Sequence, residues 1–269
     1  MTPVLTYVYC LVRSARRPSL RGVPDGMPGC EGVRLVQMPE VQSPRRAQRD
    51  WLVVSTVPEA MYAEDALQHR LQDLEWIGPR ALAHEAVIEH FLSVDAVLPM
   101  QLFALFKSDE RAVEHIVRNN RRIGRILLRI ERQVEWGLRL MWEPGSLESS
   151  SRPRPSRAPA VQARRVVSGV DYLVRKRNQR DRSKLLLQRA RADASRVYRT
   201  IAGEASEARR RSDLERTAPG SRLLLDAAFL VPARRTRAFR AVVRRHAGSL
   251  ERAGISVSLT GPWPPYNFI

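Results

Sequence analysis

The sequence predicts a soluble protein that mixes strands with helices and has room for one large or two medium domains. Three observations carry this expectation. At 269 residues and 43% hydrophobic, the chain can bury a sizeable core. Up to Val57 it reads as three short strands, after which helical spacing alternates with further strands. Near its end, Ile255, Val257 and Leu259 alternate with Ser256, Ser258 and Thr260, the period of a core strand with one buried face.

Residues 3–12, PVLTYVYCLV, are apolar on both faces, which places this strand in the middle of a sheet. Arg13, Arg16, Arg17 and Pro18 end it. A loop containing Gly22, Pro24, Gly26, Pro28 and Gly29 leads to a second strand, Gly32 to Met38, and the third is Asp50 to Val57. Pro58 and Glu59 suit a helix start, because Pro is tolerated in the first turn and Glu is favourable at the positive end of the dipole. Helical spacing continues through Met61, Ala66, Leu67, Leu71 and Leu74. A second helix is expected from Pro79 to Ser93 on a stripe of Leu82, Ala83, Ala86, Val87, Phe91 and Leu92. Pro99 then breaks the apolar run Ala96 to Phe106 into two short strands or a bend at a sheet edge. Ser108 caps a helix with Asp109 and Glu110 in its first turn; Val113, Ile116, Val117, Ile123, Leu127 and Ile130 share one face as far as Glu131.

Gln133 to Trp142 reads as a strand with Val134, Trp136, Leu138 and Leu140 on one face. Residues 143–164 show no periodicity and are expected to form a disordered loop. Ser168 and Asp171 make a capping box, S-x-x-D, opening a helix through Tyr172, Leu173, Leu185, Leu186 and Tyr198. This helix belongs to a basic helical arm, 168–216; between Arg175 and Arg216 there are 14 basic and 6 acidic residues, a net of +8. Ser221 to Val231 is a strand ended by Pro232, and Arg234 to Ala253 an amphipathic helix on Phe239, Val242, Val243 and Leu250. Gly261 and Pro262 end the last strand. Beyond it Pro262, Pro264 and Pro265 hold the backbone extended, while Trp263, Tyr266 and Phe268 carry too much apolar area for a terminus left in water. Docking on its own domain is the leading expectation, and presentation to a partner as a polyproline-type ligand the alternative.

The net charge is +18, and of 46 basic residues only Lys107, Lys176 and Lys184 are lysine. Such a balance raises nucleic acid, an anionic surface or an acidic partner. Arginine in place of lysine throughout is also what a GC-rich coding bias produces, so nucleic acid is the lesser reading and the basic faces are solvated by default. The apolar run Val4 to Val12 is about half a membrane span and holds Thr6 and Tyr7, so neither a signal peptide nor a transmembrane helix is expected. A cytoplasmic location with no membrane partner follows, with Cys10 and Cys30 as free thiols. No phosphate-binding Gly-rich motif, G-x-S-x-G or CxxC pair occurs. His84 and His90 are six apart, whereas zinc sites on one helix use an i, i+3 or i+4 pair, so both are expected to be packing or surface histidines. Glu85, Glu89, Asp95 and Glu135 are scattered, and charged helix faces account for them. No cofactor, metal ligand or catalytic residue is expected, and the chain is not expected to be an enzyme.

A strand running into GPWPPYNF (Gly261 to Phe268) resembles the end of the GvpF/GvpL family of gas vesicle proteins. The family pattern is matched in order at YVYCLV (Tyr7 to Val12), VVSTVP (Val53 to Pro58), AHEAV (Ala83 to Val87) and VLP (Val97 to Pro99). It continues at EWGLR (Glu135 to Arg139), SGVDYLVRKR (Ser168 to Arg177) and AFLV (Ala228 to Val231). The resemblance implies a two-domain α+β protein, with residues 1–130 as an N-terminal α+β domain. It makes residues 131–269 a C-terminal domain with a modified ferredoxin-like sheet and packed helices. It further implies an accessory role in building gas vesicles, with the hydrophobic shell protein GvpA and other gas vesicle accessory proteins as partners, and location at the vesicle. Its motifs single out His84, Glu85, Leu98, Pro99, Glu135, Trp136, Gly261, Pro262, Trp263, Pro264, Pro265, Tyr266 and Phe268 as interface or packing residues. After Leu98 and Pro99 the family usually has an Arg and a Gly, where this chain has Gln101 and Phe103. The rival reading is a nucleic-acid binder that uses the basic arm.

Overall fold

The computed structural model describes residues 3–39, 48–63, 67, 68, 70–143, 169–211 and 221–269, with backbone only at 169–171. Its contacts divide the chain into two compact units, Met1–Glu135 with Pro262–Ile269, and Trp136–Gly261. The last eight residues, expected within the second domain, therefore group with the first. Expectations for 143–164, and for the side chains of the Ser168–Asp171 capping box, lie outside the described residues apart from Glu143.

The first unit is built on β1 (Val4–Ser14), β2 (Glu31–Gln37), β3 (Arg49–Pro58), β4 (Ala96–Pro99) and β5 (Leu105–Phe106). They pair antiparallel in the order β2-β3-β1-β4, with β5 also on β1. As its two apolar faces require, β1 is central and buried on both sides. A bulge between Val8 and Cys10 sends Tyr7, Tyr9, Cys10 and Val12 into one core with Trp51, Val53 and Phe91. Val8 and Leu11 enter the opposite core with Leu52, Val54, Leu98 and Leu127. Pro99 does split the apolar run: β4 and β5 both pair with β1, and residues 100–104 loop out between them.

Helices of the first unit include α1 (Glu59–Tyr62), α2 (Leu74–His90), α3 (Asp109–Arg118) and α4 (Asn120–Ile130). α2 begins five residues before the expected Pro79, because Asp73 Oδ1 accepts from the Glu75 and Trp76 amides at 3.0 and 3.2 Å. Its inward stripe is also rotated. Arg80, His84, Val87 and Ile88 are buried, while Leu82, expected inward, is 73% exposed, and Leu71 and Leu74 are exposed as well. Arg80 is tolerated inside because its guanidinium lies 3.9 Å from the centre of the Trp76 ring. The single helix expected from Ser108 to Glu131 is two, since Asn119 leaves helical geometry at φ −100, ψ 13 and bonds the His115 carbonyl at 2.9 Å. Asp109, in the first turn of α3, is tied to Thr6 at 2.8 Å and to Arg34, whose guanidinium holds this carboxyl below its ordinary range.

The second unit runs β6 (Gln133–Trp142), α5 (Gly169–Ala202), β7 (Glu207–Arg210), β8 (Arg222–Pro232), α6 (Thr236–Arg252) and β9 (Ile255–Trp263). Its sheet order is β7-β8-β6-β9. A β-α-β-β-α-β chain with its strands in the spatial order second, third, first, fourth is the ferredoxin-like arrangement. Both helices contact β8 and each other, so they share one face of the sheet. Trp136 lies 6.2 Å from Phe239 and Phe239 5.6 Å from Phe229, and Leu138, Leu140, Ala194 and Ile201 are buried as well.

Three expectations change here. The helix of the basic arm stops at Ala202, and Glu207–Arg210 forms an edge strand paired with β8. Of the residues that marked this helix, Tyr172, Leu173 and Leu185 are exposed, whereas Ala190, Ala194, Val197 and Ile201 are buried. β9 is an edge strand rather than a core one: Val257 and Leu259 are half-buried and the alternating Ser256, Ser258 and Thr260 exposed. At such an edge Pro262 removes no ladder bond that a neighbour needs, so the strand continues past Gly261 to Trp263. Gly137 allows the close approach of β6 and β9, because a Cβ there would meet Thr260 Oγ1 at 2.7 Å.

Candidate functional site

The motif residues that are far apart in sequence meet around the tail, inside the first unit. Pro265 leads into a short 3-10 turn, Tyr266–Phe268, in which Phe268 is fully buried. The Tyr266 hydroxyl donates to the Glu85 carboxylate on α2. Next to it, the Asn267 amide donates to Glu135 Oε2 at 2.8 Å, and the Asn267 side chain donates to Glu135 Oε1. Glu135 is only 2% exposed, so these bonds solvate a carboxylate that water barely reaches. Burial raises the Glu85 carboxyl above its ordinary range, with the Tyr266 hydrogen bond opposing; the Tyr266 phenol is pushed up strongly by burial and by that carboxylate.

Beneath the tail lies a cleft of about 260 Å³ lined by His84, Glu85, Pro99, Met100, Tyr266 and Ile269 among others. Only the protonated Nε2 of His84 can bond the Met100 carbonyl, at 3.2 Å, so Nδ1 accepts from the Tyr7 hydroxyl at 2.8 Å. The Tyr7 oxygen in turn accepts from the Phe103 amide at 3.3 Å. Burial lowers the imidazole to about 4, and raises the Tyr7 phenol well above its ordinary value. At neutral pH His84 and Tyr7 are uncharged hydrogen-bonding struts beside the latched tail.

Phe103 sits at φ 65, a left-handed conformation that L side chains avoid. Its ring stacks 5.6 Å from Trp76, which retains it there.

His84, Glu85, Pro99 and Tyr266 thus share one cleft, and Glu135 and Phe268 hold the same tail. Leu98 points instead into the core with Leu127 and Ile130. Trp136 packs in the second unit, 6.2 Å from Phe239. Pro264 and Pro265 are buried, Gly261 turns the strand end at φ 120, and Pro262 is exposed. Trp263 was expected to be buried with Tyr266 and Phe268 but is 37% exposed, because it ends an edge strand rather than entering the turn. Sequence reasoning missed Asn267 and Tyr7. Asn267 stands inside the GPWPPYNF motif, where a polar residue between two aromatics was the available signal. Among the described residues no group of three His, Cys, Asp or Glu side chains could hold a metal ion.

The chain is α+β with two antiparallel sheets, the second ferredoxin-like, and its last residues pack on the first unit. The profile of the family described as gas vesicle synthesis protein GvpL/GvpF matches residues 5–269, and the chain belongs to that family. It is 31% identical over 271 residues to gas vesicle protein L of Streptomyces sp. (strain CB03234), a match covering 99% of this chain and 93% of that one. The crystal structure of GvpF from Anabaena sp. PCC7120 superposes with a TM-score of 0.64 at 13% identity, covering 98% of this chain and 95% of the other. GvpF from Microcystis aeruginosa gives 0.59 at 13% identity, covering 98% of each chain. The role of the chain is therefore in gas vesicle formation.

Proposed function

We propose that the chain is a non-enzymatic assembly factor that binds the hydrophobic shell protein GvpA, keeps it from aggregating and helps its incorporation into the growing vesicle. The family match across residues 5–269 carries this reading. The physics supports it: a subunit destined to face gas carries apolar surface that would aggregate in water, and a soluble partner covering that surface prevents it. Both sheets end in edge strands, β2 in the first and β7 and β9 in the second, which can accept a strand from a partner. The latched tail is read as a closure of its own unit rather than as a ligand for the partner, and the working location is the vesicle surface in the cytoplasm.

Co-expression with GvpA tests this. Soluble GvpA should rise when the chain is present and co-purify with it at moderate salt. GvpA that stays insoluble and unassociated, alongside tight duplex DNA binding that collapses between about 50 and 200 mM salt, would instead favour the nucleic-acid reading.

A further inference from the structure

The amino-terminal half of α5 stands in water: residues 172–185 are exposed, and burial begins only beyond them. Along this half Lys176, Arg180 and Lys184 recur every fourth residue, so they share a face and step about 6 Å along the helix each time. That face forms one wall of a cleft of about 600 Å³, with Trp142 at the end of β6 and Arg222 at the start of β8 opposite. Among the described residues four cations line the cleft and no carboxylate does. Asp181 lies 4.0 Å from Lys184 but 60% exposed and outside it, while Arg180 and Arg222 have no ion-pair partner among the described residues. Like charges gathered around a concave surface concentrate positive potential, which favours an anionic ligand.

The apolar residues decide which anion. Leu187 shares the cleft wall with the cations, and one turn before Lys176 the side chains of Tyr172 and Leu173 are 58% and 63% exposed. A phosphate backbone makes no use of Leu173 and Leu187, although a base can stack on the exposed Tyr172. Nor is there a stacking platform for bases in the cleft, because the Trp142 ring is 4% exposed. An amphipathic helix with acids on one face and leucines beside them uses both features, setting carboxylates against the row of cations and apolar side chains against Leu173 and Leu187. We infer that this cleft binds a carboxylate-rich amphipathic segment of a partner protein. The inference rests on the assembly-factor reading only in expecting a protein as the ligand.

Fluorescence anisotropy tests it with a labelled synthetic helix of about 15–20 residues carrying Glu at every fourth position and Leu beside them. The full chain is titrated at about 150 mM salt. The variant Lys176→Glu/Arg180→Glu/Lys184→Glu should bind at least about 30-fold more weakly than the parent, as expected when close charge pairs are reversed. A control with the same change in net charge, Arg237→Glu/Arg244→Glu/Arg245→Glu on the exposed face of α6, should differ from the parent less than about 3-fold. All six positions are exposed, so melting curves should confirm that both variants fold. Equal losses in the two variants would overturn the proposal, as would no binding of the peptide by the parent. Tighter binding of single-stranded DNA of equal charge, abolished by the α5 substitutions, would overturn it too. GvpA co-purification on the same preparations reports separately on the assembly-factor reading.

Discussion

Burial holds the His84 imidazole neutral, at about 4 against 6.5 in a free chain, and this sets a sign for acid stability. Between those values the unfolded chain takes up a proton that the folded protein refuses. The contribution is therefore fully present above pH 6.5 and is lost as pH falls towards 4. By pH 5 the loss is about 2 kcal/mol. His84→Gln, which keeps a donor and an acceptor, should flatten this part of the stability profile; urea midpoints at pH 7 and pH 5 for the two proteins measure it, and parallel profiles would refute it. Phe103 offers a second test. Glycine usually costs more than alanine in a folded chain, but at φ 65 the order should invert, with Phe103→Gly more stable than Phe103→Ala by about 1 kcal/mol. The departure from the family pattern made Phe103 conspicuous in the sequence. Nothing there revealed the burial of His84, because a histidine between Ala83 and Glu85 reads equally well as surface or core.

At the scale of elements, period and punctuation located most strands. β6 runs over the expected Gln133–Trp142, and β1 is doubly buried as its apolar run demands. Helix faces were harder to read. In α2 two inward positions are held by Arg80 and His84, which bond Trp76, Tyr7 and Met100, although Arg80 Nε has no hydrogen-bond partner among the described residues. Counting apolar residues therefore found Val87 and Phe91 but set Leu82 inward by mistake. The basic arm misled for a related reason, since its arginines are not all solvated. Arg211 bonds Asp226 at 2.6 and 2.8 Å and Arg139 bonds it at 3.1 Å, neutralising a carboxylate buried in β8. Arg211→Gln should therefore destabilise the second unit by about 2 kcal/mol, less than a fully buried pair because Arg139 remains. The exposed Arg237→Gln should stay within about 0.5 kcal/mol. Chemical denaturation of the two variants decides the matter, and equal midpoints would show that the Asp226 pair contributes nothing.

At the scale of the molecule, the tail unites what the sequence left separate. Its aromatic and proline content announced that it docks, but not that it docks on α2 and Glu135 rather than within the domain whose last strand it continues. Deleting Tyr266–Ile269 removes the buried Phe268 and strips Glu85 and Glu135 of the bonds from Tyr266 and Asn267. A loss of about 3 to 5 kcal/mol is expected, at the level of a large core truncation. Hydrogen exchange should accelerate in α2 and in the strands it covers. A deletion protein that melts like its parent would mean that the tail does not close this unit.

Because the first unit takes its last strands of contact from Pro262–Ile269, it is interrupted in sequence by the whole of the second. β9, the last strand of the ferredoxin-like unit, ends only a few residues before Phe268, so both units gain their final segment together as this stretch leaves the ribosome. A product stopped short of residue 266 would leave Glu85, Glu135 and the cleft beside His84 open to water and to the cell's proteases. Synthesis through Phe268 is thus written into the fold as the condition for closing it.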